Sequence, residues 1–201
     1  MTERSSQTSA SGVSHVDALP PGTRLAEFEI LALLGVGGFG MVYKAFDHSL
    51  HRAVAIKEYL PLALAGRADG LSVSVRTLSD EPAFQSGLKS FVGEARLLAQ
   101  FDHPSLVKVF RFWEAHNTAY MVMPLYEGMT LKQARTQMRA PPPEAWLRQV
   151  LWSVLGALRT LHESQTLHRD ISPDNIFLQD TGPPVPLDLG AARHAINDRD
   201  H

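Results

Sequence analysis

The chain has 201 residues, 44% of them hydrophobic, with 19 basic against 21 acidic side chains and no cysteine. That length and apolar content suffice to bury a core in one or two units, while a formal charge of −2 gives no electrostatic reason for nucleic acid as a main partner. Without cysteine, disulfides and thiolate metal sites are excluded, and packing must hold the fold.

Residues 1–22 (MTERSSQTSASGVSHVDALPPG) are rich in Ser, Thr, Gly and Pro. They offer little apolar surface to offset ordering entropy, so a disordered tail is expected. No stretch reaches the roughly 18 apolar residues of a membrane span, and the N-terminus lacks the apolar core of a secretory signal. The expectation is no membrane span and a cytoplasmic location.

From Phe28 the pattern changes. The apolar run FEILALL, the glycines of GVGGFG, the stretch MVYKAF and, after a turn, AVAIK predict three strands, the first two joined by a glycine-rich hairpin. In AVAIK the period-two alternation puts Ala53, Ala55 and Lys57 on one face and Val54 and Ile56 on the other. Two small residues beside a lysine leave room for a flat ligand. Residues 58–82 read as a loop with a short extra strand at Leu71, Val73 and Val75. Phe84, Leu88, Phe91, Val92, Ala95, Leu98 and Ala99 then recur at helical steps, with Glu94 on the apolar side, where an ionised carboxylate needs a cationic partner. SLVKVFRFWE and TAYMVMPL predict two more strands. After YEGMT the pattern turns helical, and a long helix from about Glu144 carries a stripe of Leu147, Val150, Leu151, Val154, Leu155, Leu158 and Leu161. The loop TLHRDISPDN, a strand IFLQ, a Pro-rich turn and a last strand VPLDLG follow. Trp113, Trp146 and Trp152 are expected in the core or partly buried. The nine histidines show no metal-ligand spacing, so no protein-held zinc is expected.

Gly35, Gly37 and Gly40 fit GxGxxG, a weak signal alone; the strand that follows them, in place of a helix, favours a flap over phosphates. Taken in order, GVGGFGMV (35–42), AVAIK ending at Lys57, Glu94 in its helix, LHRDISPDN around Asp170, and DLG (188–190) resemble the protein kinase family.

The resemblance implies an α+β, kinase-like fold: a five-stranded antiparallel lobe with one helix (23–125), then an incomplete, mainly helical lobe (126–201). It implies an ATP-dependent Ser/Thr protein kinase acting on a protein substrate, with ATP and Mg2+ bound. Gly35, Val36, Gly37, Gly38, Phe39 and Gly40 would cover the phosphates, and Lys57 would contact them while pairing with Glu94. Val42 and Ala55 would sandwich adenine from above and Phe177 from below. The backbone of Pro124, Leu125 and Tyr126 would be the hinge, with Met123 in the gatekeeper position. Asp170 is similar to the catalytic carboxylate, and Asn175 and Asp188 to the metal ligands. His168, Leu98, Val109 and Leu189 would stack as a spine between the lobes.

The sequence departs from the family in two places. Ser172 stands where these kinases usually carry a lysine facing the transferred phosphate. The chain also stops about ten residues past Gly190, before the family's activation segment, so marginal stability is expected unless a partner covers the helical stripe. A nucleotide-binding pseudokinase with a regulatory or scaffolding role is therefore the alternative to an active enzyme, and a nonfunctional fragment is a third reading.

Overall fold

The structure is a computed structural model that describes residues 13–168, 170–186 and 193–194. The alternating runs form β1 (Arg24–Leu25), β2 (Phe28–Gly37), β3 (Gly40–Asp47), β4 (Arg52–Tyr59), β7 (Arg111–Ala115) and β8 (Thr118–Pro124), joined in one antiparallel sheet of order β1-β2-β3-β4-β8-β7. The expected five strands are all present, and the two-residue β1 extends the edge beside β2. The hairpin of β5 (Ala65–Asp69) and β6 (Ser72–Val75) lies apart from that sheet, and the helix α1 (Glu81–Leu98) packs on it.

The register sorts the side chains of the central strands. Val42 faces Lys57, Lys57 faces Met121 and Ala55 faces Met123, so these residues share one side. Met41, Tyr43, Ile56, Glu58, Tyr120 and Val122 share the other. Both sides are covered, which is why every residue from Thr118 to Met123 is buried and the strand reads as a continuous apolar run. On the Lys57 side, α1 buries Phe84, Phe91, Ala95 and Leu98.

The cover on the other side departs from the sequence reading. Within the stretch expected to be a tail, Leu19 is 2% exposed and joins the core, and Asp17 is buried. Residues 1–12 lie outside the described residues. The stretch read as a loop with one extra strand is a two-stranded hairpin with Ala65 and Val73 in the core. Conversely, Ser105–Phe110 is not strand: Leu106 and Val107 are buried in irregular backbone, and the ladder begins at Arg111. Alternation there reports burial rather than pairing.

The second lobe contains β9 (Gly128–Thr130), α2 (Leu131–Gln137), α3 (Glu144–Glu163), β10 (Thr166–Leu167), β11 (Ile176–Gln179), β12 (Val185–Pro186) and β13 (Arg193–His194). Thr130 starts α2 with a capping box, its hydroxyl accepting from the Gln133 N–H while the Gln133 side chain accepts from the Thr130 N–H. Only part of the α3 stripe is buried: Val150, Val154, Ala157 and Leu161 are covered, while Leu147, Leu151 and Leu155 are exposed. Trp152, expected to be at least partly buried, is 69% exposed. The small cluster of Val150, Val154 and Ile176 supports α3 on one side, and nothing among the described residues covers the other.

Candidate functional site

Lys57 reaches from β4 towards α1, and its Nζ lies 3.2 Å from Glu94 Oε1. Glu94 is 5% exposed, so the pair supplies the cation that a buried carboxylate requires. The positions were set by different periods, two along β4 and 3.6 along α1, and only tertiary packing brings them together.

Above Lys57, the turn between β2 and β3 carries the glycines. Gly40 has φ +155°, and a Cβ there would stand 1.9 Å from the Glu58 carbonyl oxygen. Glycine thus lets the end of the turn close onto β4, where the Leu60 N–H donates to the Phe39 carbonyl at 3.2 Å. A Cβ at Gly35 or Gly38 would meet nothing within 4 Å, so the turn faces open space. Val36 and Phe39 project from it, Phe39 at 66% exposure. Val42 stands opposite Gly35 and Lys57, and Ala55 opposite Met123, which is almost fully buried. Pro124, Leu125 and Tyr126 follow, partly buried, as the link to the second lobe. Phe177, partly buried, sits on β11 between Thr130 and Val185.

In the loop before β11, the Asn175 amide nitrogen donates to the Asp170 carbonyl at 3.2 Å and to Asp170 Oδ2 at 2.7 Å. The Asp170 N–H donates to His168 Nδ1 at 3.3 Å, and His168 is itself buried. Of the two carboxylate oxygens of an otherwise exposed Asp170, Oδ2 is therefore held by Asn175. Ser172 is partly buried, and its carbonyl accepts from the Asn175 N–H at 3.0 Å. Asp188 and Leu189 lie outside the described residues. Of the four expected spine residues, Leu98 and His168 are buried and Val109 is partly buried.

The sequence reading missed a second buried ion pair, behind Lys57. Glu58 is fully buried, and Arg67 of β5 places Nη2 2.7 Å from both its oxygens. Tyr43 donates its hydroxyl to Glu58 Oε2 at 2.8 Å. Burial pushes the Tyr43 hydroxyl above its ordinary range, and the Glu58 charge adds to the shift. Burial alone would lower the Arg67 pKa, but Glu58 outweighs it and holds the guanidinium above its usual value. Arg67 also ties down the N-terminal segment, its N–H donating to Asp17 Oδ1 at 2.8 Å and its Nε to the Asp17 carbonyl at 2.9 Å. The signal was present in part: after Val54 and Ile56, period two puts Glu58 on the apolar face. Its partner lay in the stretch read as loop. Lys132 and Asp174, paired at 3.0 Å on the surface beside the Asp170 loop, were also not foreseen.

The family model for the protein kinase domain matches residues 28–200. Among curated proteins, the chain is 33% identical over 178 residues to the DNA damage-responsive serine/threonine-protein kinase RqkA of Deinococcus radiodurans, covering 86% of this chain and 23% of that protein. It is 32% identical to the serine/threonine-protein kinase PrkC of Bacillus subtilis, over 82% of this chain and 22% of the relative. Among solved structures, it resembles the apo form of PpkA-294, with 50% identity and a TM-score of 0.83, over 87% of this chain and 62% of that one. The chain spans about a quarter or less of the curated relatives.

Proposed function

The chain belongs to the protein kinase family, and on that premise we propose that it transfers the γ-phosphoryl group of ATP to a Ser or Thr hydroxyl of a protein substrate. The observation that carries this reading is the Lys57–Glu94 pair at 3.2 Å beneath the open glycine turn. An ammonium fixed by a buried carboxylate is pre-oriented toward phosphate oxygens and needs no reorganisation when charge develops. The lobe of residues 23–125 holds the nucleotide, with Val42 and Ala55 on one side of the base, Phe177 on the other, and Met123 to Tyr126 along its edge. The part of residues 126–201 that carries Asp170 supplies the transfer groups.

In the reaction the acceptor oxygen bonds to Pγ as the bond from Pγ to the bridging oxygen of ADP breaks, and the hydroxyl proton passes to Asp170. Asn175 orients that carboxylate through its two donations. Because the Asn175 amide nitrogen is engaged, its carbonyl oxygen is the atom left for a hard cation, and with Asp188 it would hold Mg2+. When bound, Mg2+ neutralises the phosphate oxygens that otherwise repel the acceptor. We place the reaction in the cytoplasm, where ATP is supplied; among the described residues no helix is long and apolar enough to cross a membrane. A nucleotide-binding pseudokinase is the second reading, favoured by Ser172 in place of the expected lysine.

Calorimetric titration with ATP, with and without Mg2+, tests the pocket. Binding is expected to require Mg2+ and to weaken about 10- to 100-fold in Lys57→Ala, as for the loss of a charge-assisted hydrogen bond, and to weaken also in Asp188→Asn. A folded chain that binds no ATP would reject both readings.

A further inference from the structure

Two residues beyond Lys57, on the same side of β4, Tyr59 is 1% exposed and points into α1. Its ring lies between Phe84, with centroids 5.2 Å apart, and Phe91, at 5.8 Å. Its hydroxyl donates to the Phe84 carbonyl, inside the helix, at 3.0 Å. Its own carbonyl accepts from the Thr118 hydroxyl, so the residue is fixed at both ends. Burial pushes the Tyr59 hydroxyl up to about 12, in keeping with a neutral donor.

The helix accommodates this hydroxyl at Gly87, where a Cβ would stand 2.1 Å from Tyr59 Oη and 3.0 Å from Cζ. A glycine in a helix interior costs about 1 kcal/mol relative to alanine, so helix propensity alone argues against it there. Gly93, one turn before the helix ends, makes a useful contrast, since a Cβ there meets nothing within 4 Å. Phe84, Gly87, Phe91, Glu94 and Leu98 follow one another at steps of three and four, a single stripe down α1. The notch and the carboxylate therefore face the same strand, two turns apart.

We propose that Tyr59 and Gly87 are positioning residues: the Tyr59 hydroxyl, seated in the notch at Gly87, sets how closely α1 approaches β4 and so holds Glu94 against Lys57. The inference rests on the reading of that pair as the phosphate-orienting element. Filling the notch pushes α1 outward, because neither the fixed tyrosine nor the rigid helix backbone can yield by an ångström.

The chain has no cysteine, so spin labels on Ser49→Cys and Lys89→Cys report the distance between the β3–β4 turn and α1. That distance and Mg2+-ATP affinity are measured together in each background. Gly87→Ala is expected to lengthen or broaden the distance and weaken ATP binding about 10- to 100-fold, the cost of misplacing a binding group by roughly 1 Å. Gly93→Ala, with the same gain in helix propensity, leaves both unchanged. Adding Tyr59→Phe to Gly87→Ala relaxes the closest approach from 2.1 to 3.0 Å and moves both readings back toward wild type, which a purely structural defect would not do. Tyr59→Phe alone keeps the ring packing and should broaden the distance distribution even if Gly87→Ala does not fold. Unchanged distances in Gly87→Ala and Tyr59→Phe, or no recovery in a folded double variant, overturn the proposal. Failure of the wild type to bind ATP would instead defeat the kinase reading, and the distance measurement would still decide the position of α1.

Discussion

Glu58 and Lys57 are neighbours in sequence with opposite tasks. Lys57 is 17% exposed at its side chain and pairs with Glu94, while Glu58 is sealed on the other side of the sheet with Arg67, Tyr43 and Tyr120. Arg67→Met would strand the carboxylate, and breaking a buried pair from one side costs about 3–5 kcal/mol. Denaturant unfolding should show that loss, and the double substitution Glu58→Leu with Arg67→Met should restore part of it, because no charge is then buried unpaired, although the Tyr43 hydroxyl loses its acceptor and the Asp17 carbonyl its donor. A loss below about 1 kcal/mol in the single variant would mean that water reaches Glu58. In the second lobe, Asp170→Asn should reduce turnover by about 10²- to 10⁴-fold, the range for a general base, while ATP affinity is retained. Equal losses in affinity and turnover would assign Asp170 to nucleotide binding instead. Among single residues, the helical stripe shows that Glu94 needs a cationic partner, and it is the resemblance to the kinase family that names Lys57 as that partner. Glu58 and Arg67 were not legible as a pair, because nothing in the hairpin sequence marks Arg67 as buried.

Strands β2, β3, β4 and β8 and helices α1 and α3 were legible because their apolar residues keep one period over eight or more residues or run without a break. The hairpin β5–β6 was half legible: Val73 and Val75 alternate, but β5 offers Ala65, Gly66 and Arg67, with little apolar signal. The N-terminal segment reads as a tail because the anchoring residues Asp17, Ala18 and Leu19 are a short run that composition averaged over 22 residues hides. Its fastening is specific, since the Leu19 N–H donates to Tyr43 Oη at 3.2 Å while Asp17 receives Arg67. Leu19→Ala should therefore lower stability by about 2–5 kcal/mol, the range for a core leucine, as read by the unfolding midpoint. A change within about 0.5 kcal/mol, typical of a surface site, would return the segment to the status of a tail.

For the whole molecule, the tyrosines set an upper pH limit. All four have hydroxyls held above their ordinary value of 10, with burial the leading cause in each; Tyr59 reaches about 12, and Glu58 lifts Tyr43 and Tyr120 further. A raised folded-state pKa contributes stability that is fully present below the unfolded value, about 10, and lost as pH rises through the folded value. Tyrosinate absorbance should thus stay low at pH 10 and appear together with unfolding above it; free titration of all four tyrosines near pH 10 with the fold intact would contradict the buried network. The second lobe leaves Leu147, Leu151, Trp152 and Leu155 exposed along α3, an apolar face of the kind that marks contact surfaces. The proposed transfer itself is read by labelled γ-phosphate transfer from ATP to a mixed protein acceptor, followed by phosphoamino-acid analysis. Mg2+-dependent phosphoserine or phosphothreonine, lost in Lys57→Ala and in Asp170→Asn, is the predicted result. Tight Mg2+-ATP binding by the wild type with no phosphate transferred would contradict it and establish a nucleotide-binding regulator in place of an enzyme.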